Sequence, residues 1–283
     1  MIRRTYISDG TDGQIHLAET GRGPAALLIH QTPRSWDEFR EVMELLAPVA
    51  LMVAMDLPGM GATSAPAGAP SIECYAAAAA RVIEHLGQRP ITICGHHTGG
   101  VVAIELAATR PDLVASLVLS STPWIDATTR EKRAGKTPID VVDPGCQDRA
   151  RELRRQRAPY YPLDGGYLDR FVCDALKTID PSIGHRAISM YEMEYAAPRI
   201  RCPVLLVEHQ RDPFARDHVD KLIQAFPHAQ VERIVEGMVP LEPTAGQFAS
   251  ILGDWLHAKW VRTPEASLPS LARSLETVRR GMS

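Results

Sequence analysis

An apolar run, Ile91–Cys94, passes directly into Gly95-His96-His97-Thr98-Gly99-Gly100, and a stretch of helical spacing, Val101–Thr109, follows at once. A strand that becomes a helix within so few residues needs a tight turn between them. Gly95 and Gly99, placed symmetrically about His97, omit the Cβ atoms that would strike the neighbouring strand and helix. The segment therefore calls for a strand, a tight turn and a helix, with His97 at the apex.

The rest of the chain repeats that alternation. Strands are expected at Arg4–Ser8, Gln14–Glu19, Ala25–Ile29, Val49–Met55, Ile91–Cys94, Ala115–Ser120, Val204–Val207 and Val231–Val235. Helical spacing marks Trp36–Leu46, Ile72–Leu86 (capped by Ser71), Val101–Thr109, Ala215–Phe226 and Thr244–Trp260. Strands that are mostly apolar throughout and alternate with helices predict an α/β fold, a largely parallel sheet covered on both faces. The alternation fails over Ile125–Arg199, which is rich in Arg, Asp and Tyr. Its candidate helices, Gln147–Arg157, Tyr167–Thr178 and Ser182–Tyr195, predict a helical insertion rather than a long structureless loop. The expected division is a core of 1–123 and 200–262, a helical cap of 124–199 and a tail of 263–283, with a weakly amphipathic stretch at Leu268–Val278.

At 283 residues, 45% hydrophobic and 23% charged, with a formal net charge of -3, the chain reads as a soluble globular protein. Neither the charge nor any basic run suggests nucleic-acid binding. Met1-Ile2-Arg3-Arg4-Thr5 leads into no apolar h-region, and no run is long enough to span a bilayer, so the expected location is cytoplasmic. Five cysteines without a C-x-x-C pair read as reduced, mostly buried thiols. No dinucleotide fingerprint or phosphate loop is present, and His30, His96 and His97 lack a metal-ligand spacing, so no cofactor or metal is expected.

Four landmarks in order resemble the α/β-hydrolase superfamily: His30-Gln31 after the third strand, Asp56-x-Pro-Gly-x-Gly61, Gly95-x-His97-x-Gly99, and Asp212-Pro213-Phe214 after Val207. By order of elements the resemblance covers roughly nine-tenths of the chain. It implies an α/β-hydrolase fold with an inserted helical cap, and makes Gly95–Gly99 similar to a nucleophile elbow, whose central residue in the family is usually Ser, Asp or Cys. It also implies an oxyanion hole at the amides of Thr32 and Thr98, with Gln31 where the family usually has glycine, and Asp212 at the acid position. The base position departs from the pattern. Aligning Leu241-Glu242 puts Gly237 where a histidine is expected; His228 falls before the last strand and His257 deep in the last helix.

These departures are linked in one expectation: His97 reaches across the volume that Gly237 vacates and bonds Asp212, which moves the base onto the turn. Such a pair would serve as general base, or His97 as nucleophile. Gln31, Trp36 and His185 are the expected substrate-binding residues, with Arg34, Asp37 and Glu38 near the pocket mouth. Trp124, Tyr160, Tyr161 and Tyr191 are assigned mainly to the cap's own core. His30 and His96 are read as structural, and His209 as facing the Asp212 loop or partly exposed. The expected activity is turnover of a small carbonyl compound such as an ester or lactone. Cofactor-independent lyase or isomerase chemistry and a non-catalytic ligand-binding protein stay open as alternatives. The expected partner is a small-molecule substrate, with no nucleic acid and no membrane; a homodimer is compatible with the chain.

Overall fold

The structure is a computed structural model describing residues 1–11, 13–66, 68–136, 138–143, 145–161 and 166–260. The tail expected at 263–283, including Leu268–Val278, lies outside the described residues.

Eight strands form one sheet: β1 (Arg3–Ser8), β2 (Gln14–Thr20), β3 (Ala25–Ile29), β4 (Leu51–Met55), β5 (Ile91–His96), β6 (Val114–Ser120), β7 (Val204–His209) and β8 (Gln230–Ile234). Their order is β1-β2-β4-β3-β5-β6-β7-β8. β1 and β2 join antiparallel, while the strands from β4 to β8 pair in parallel. The helices are α1 (Arg40–Leu46), α2 (Ile72–Leu86), α3 (Thr98–Thr109), α4 (Ala127–Arg133), α5 (Arg149–Arg157), α6 (Tyr167–Lys177), α7 (Pro181–Met190), α8 (Met193–Ala196), α9 (Val219–Ala225) and α10 (Ala245–Trp260).

Successive residues of a strand point to opposite faces, and the apolar strands use both. Leu27, Ile29, Ile93, Leu117 and Leu206 pack with α2 and α3, whereas Ala26, Leu28, Cys94, Val118 and Leu205 pack with α1 and α10. Ser71 caps α2 by accepting from the Cys74 amide at 3.2 Å, and Gly87 ends it in the left-handed region at φ 68°.

Several expected boundaries moved for local reasons. Trp36–Leu46 opens as a 3-10 turn over Trp36–Phe39, where Ser35 caps the Asp37 amide. β5 and β7 run on to His96 and His209, because parallel partners reach that far: His96 pairs with Ser120 and His209 with Ile234. The expected helix over Ser182–Tyr195 breaks at Tyr191–Glu192 into α7 and α8, and Ala215–Phe226 splits into a 3-10 turn and α9. Of the cysteines only Cys94 is buried; Cys74, Cys146 and Cys202 are half-buried and Cys173 exposed, which corrects the expectation of mostly buried thiols.

Helices α4 to α8 lie between β6 and β7. Leu153, Tyr161, Phe171, Val172 and Ala175 form a separate apolar cluster there. An ionic junction ties this insertion to the sheet. Arg34, fully buried, donates from Nε to Asp174 of α6 at 3.1 Å and from Nη2 to Glu242 at 2.6 Å; Ser35 Oγ donates to Asp174 at 2.9 Å. Arg170 of α6 grips Asp37 and Glu41.

Candidate active site

The turn after β5 depends on glycine at each flank. A Cβ on Gly95 would lie 2.2 Å from the Gly99 carbonyl carbon, and one on Gly99 would lie 1.8 Å from the Ile29 carbonyl oxygen. His97 at the apex has φ 47° and ψ -110°, in the region that costs a residue with a side chain about 1–3 kcal/mol. Its amide donates to the Ser120 carbonyl at 2.9 Å, anchoring the turn to β6.

From that apex His97 Nε2 comes within 2.6 Å of Asp212 Oδ2. The contact is close but not aligned as an ideal N–H···O bond, so each of the two atoms stands outside the regular hydrogen-bond geometry. Asp212 is fully buried, and its other oxygen accepts from the Phe214 amide at 2.9 Å. Burial works to raise the Asp212 pKa, but the charge and contact of His97 and the Phe214 amide outweigh it, holding the carboxyl well below its ordinary range.

The space beside Gly237 is filled otherwise than the sequence implied. A Cβ on Gly237 would meet the His209 ring, 2.7 Å from Nδ1 and 2.8 Å from Cγ. His209, not His97, occupies that volume, and it is 1% exposed rather than partly open. It reaches there because β7 continues to His209 and the chain after β8 folds back, the Arg211 amide donating to the Gly237 carbonyl at 2.9 Å.

His209 belongs to a buried polar row. His96 Nε2–H donates to the Val239 carbonyl at 3.1 Å, which leaves Nδ1 of the neutral ring to accept from Ser120 Oγ at 2.9 Å. Ser120 Oγ, having donated its proton, accepts from His209 Nε2–H at 3.2 Å. Burial, then the neighbouring imidazoles, push both His96 and His209 down to about 3, so both rings are neutral at ordinary pH. The edge of His96 meets the His97 ring at a centroid distance of 4.7 Å, so the row backs the turn. Sequence spacing could not reveal this row, because Ser120 and His209 come from strands joined only through the sheet.

The remaining candidates divide. The Thr32 amide donates to Thr98 Oγ1 at 3.2 Å, so it is already engaged rather than open for an oxyanion. Thr98 Oγ1, accepting there, keeps its own hydroxyl proton, and Thr98 lines the cavity. Gln31 spends its side-chain amide on Glu38 at 2.5 Å, with the Val239 carbonyl at 3.5 Å. Trp36 does not reach the pocket: its amide donates to Asp56 and its ring lies beneath the Arg4 and Arg40 guanidiniums at 5.8 and 5.5 Å. Arg34, Asp37 and Glu38 belong to the buried junction instead of a pocket mouth. His30 is bracketed by structure, Nδ1–H donating to the Gln31 carbonyl and Nε2 accepting from the Leu57 amide. Tyr161 packs in the insertion's cluster, Tyr160 stacks on Phe214, Tyr191 donates to Glu105 and Trp124 to Asp126.

A cavity of about 260 Å³ opens over His97, lined by Gln31, Thr32 and Thr98 below and by His185, Arg157 and Phe214 among others above. It is smaller than the roughly 300–1,000 Å³ typical of drug-sized sites, which limits the occupant to a small molecule. A wider cleft of 540 Å³ lies at the opposite ends of β7 and β8, between Ala197–Val204 and Ala225–Ala229. It lacks the convergent acid and imidazole, so the smaller cavity is the candidate site. Among the described residues no group of three His, Cys, Asp or Glu side chains is arranged to hold a metal ion, and no helix is long and apolar enough to cross a membrane.

A family profile described as alpha/beta hydrolase fold matches residues 24–143. A soluble epoxide hydrolase of Corynebacterium sp. (strain C12) is 32% identical over 106 residues, 38% of this chain and 37% of that protein. A fluoroacetate dehalogenase of Burkholderia sp. is 34% identical over 116 residues, 39% of this chain and 38% of that protein. Each match thus spans well under half of the relative's own length. Among solved structures, an esterase from Exiguobacterium antarcticum superposes with a TM-score of 0.78 at 16% identity, over 89% of this chain and 99% of that one. An esterase from Thermogutta terrifontis gives 0.72 at 22% identity, over 91% and 99%. At those identities the structures speak to the fold.

Proposed function

We propose that this chain, whose residues 24–143 match the alpha/beta hydrolase profile, works as an α/β-hydrolase on a small carbonyl compound, an ester or lactone, with His97 as general base. The observation that carries the reading is the 2.6 Å approach of His97 Nε2 to the buried carboxylate of Asp212 from a turn whose apex faces the cavity. Asp212 holds the proton on Nε2, which makes Nδ1 the basic nitrogen. Nδ1 takes a proton from water as the water oxygen bonds to the carbonyl carbon. The resulting oxyanion is met by the Thr98 amide at the start of α3 and by the Thr98 hydroxyl, itself supported by the Thr32 amide. Collapse breaks the bond to the leaving oxygen, which takes the proton back from His97. The insertion serves as the cap that keeps bulk water out.

Related hydrolases support the reaction class: the partial relatives include proteins named epoxide hydrolase and dehalogenase, and the fold's neighbours include esterases. The test is turnover of p-nitrophenyl acetate and of a panel of lactones by the native protein and by His97→Ala and Asp212→Asn. Loss of a positioned general base costs about 10²–10⁴ in rate, so His97→Ala falls by that factor and Asp212→Asn by less. Native-like turnover in His97→Ala refutes the assignment. Conversion of a carbonyl substrate without incorporation of oxygen from H₂¹⁸O would show the base acting on carbon, in the manner of a lyase or isomerase.

A further inference from the structure

The upper wall of the cavity carries a charge pattern that general-base hydrolysis does not use. Arg133, Lys136 and Arg157 line it, together with His185, and no Asp or Glu is among the lining residues. Arg157 is 2% exposed and spends Nε, at 2.5 Å, and Nη2 on the two oxygens of Asp140, itself fully buried. Its third nitrogen, Nη1, is buried with no hydrogen-bond partner among the described residues. Phe171 and Phe214 lie against the guanidinium at 4.7 and 5.7 Å and fix its plane. Asp140 therefore balances Arg157 and leaves one donor over.

Arg133, at the last turn of α4, is half-buried, and burial holds its pKa below the ordinary value. Neither Arg133 nor Lys136 forms an ion pair among the described residues. The cavity lining thus holds two cations without an ion-pair partner among the described residues, half-buried Arg133 and exposed Lys136, and one buried unsatisfied guanidinium donor on Arg157. A buried donor without a partner costs free energy, which hydrogen bonding to an anion would offset. The remaining lining, including Pro123, Pro138, Ile139 and Ile188, is apolar.

We infer that the substrate is a small carboxylic acid, its carboxylate held by Arg133, Lys136 and Arg157 Nη1 while its reacting carbonyl meets His97. The inference rests on the reading of this cavity as the substrate site. Guanidinium groups suit a carboxylate because two donors can meet its two oxygens. The apolar wall then holds a short hydrocarbon body between the carboxylate and the reacting carbonyl.

The test is binding, measured by calorimetry with hexanoate and its neutral analogue hexanamide, and needs no turnover. The native protein should prefer hexanoate by about tenfold or more, as expected for hydrogen bonds to a charged group. The double variant Arg133→Met/Lys136→Met, which leaves the Arg157–Asp140 pair intact, should lose most of that preference while keeping its affinity for hexanamide. His97→Ala should retain the preference whether or not it retains turnover, so the catalytic reading and this one fail separately. Equal affinity for the two probes, no hexanoate binding up to its solubility limit, or an undiminished preference in the double variant would each overturn the inference.

Discussion

Mild acid should weaken this protein through the two buried imidazoles behind the turn, and replacing one of them measures the effect. His96 and His209 sit at about 3 in the folded chain, against about 6.5 for an unperturbed histidine. Their folded values are lowered, so between those limits the unfolded chain binds more protons than the folded one. Stability is therefore complete above about pH 6.5 and falls as the pH drops toward 3. Each unit below 6.5 removes about 1.4 kcal/mol per histidine, so the pair costs about 4 kcal/mol by pH 5. His209→Gln keeps a donor for Ser120 Oγ and removes one titrating ring. Urea unfolding at pH 7 and pH 5 should then show a loss about 2 kcal/mol smaller in the variant than in the native protein. Carboxylates and the other histidines are common to both and cancel in the difference. Equal losses would mean that His209 is protonated in the folded protein, and the row Val239–His96–Ser120–His209 would have to be redrawn.

Other substitutions probe the packing that positions the site. Arg34→Met strands Asp174 and Glu242 in the interior and should destabilise by about 3–5 kcal/mol in urea unfolding, whereas a loss under about 1 kcal/mol would contradict a buried ionic junction. Gly237→Ala forces a methyl toward His209 and should cost about 1–3 kcal/mol by the same measurement; an unchanged midpoint would mean that the ring moves freely. Gly99→Ala, whose Cβ meets the Ile29 carbonyl, should fail to fold to a native circular-dichroism spectrum, and a native-like spectrum would remove the case for a glycine-dependent turn.

The order of elements was legible because it rests on local rules. Apolar runs such as Ala25–Ile29 have to be covered on both faces, Ile72–Leu86 carries its own cap residues, and Gly95 and Gly99 announce the turn. The same local rules put His97 at an apex, whereas Asp212, in the loop after β7, was marked only by the resemblance to the α/β-hydrolase superfamily. Trp36 was misplaced because following the Thr32 loop in sequence does not say what a side chain meets; here its ring meets Arg4 and Arg40.

What the chain's order of residues determined by itself was the layered sheet, the position of the insertion and the residue at the turn. Which imidazole occupies the space beside Gly237 was decided in three dimensions, because the parallel register of β7 with β8 carries His209 there. The cations above His97 were likewise beyond reach. Arg133, Lys136 and Arg157 come from α4, the turn after it and α5 of an irregular insertion, and nothing in their spacing says that they share a cavity. Periodicity follows from the backbone geometry of a single element, whereas a site depends on which elements pack together, and that is settled only when the whole core forms.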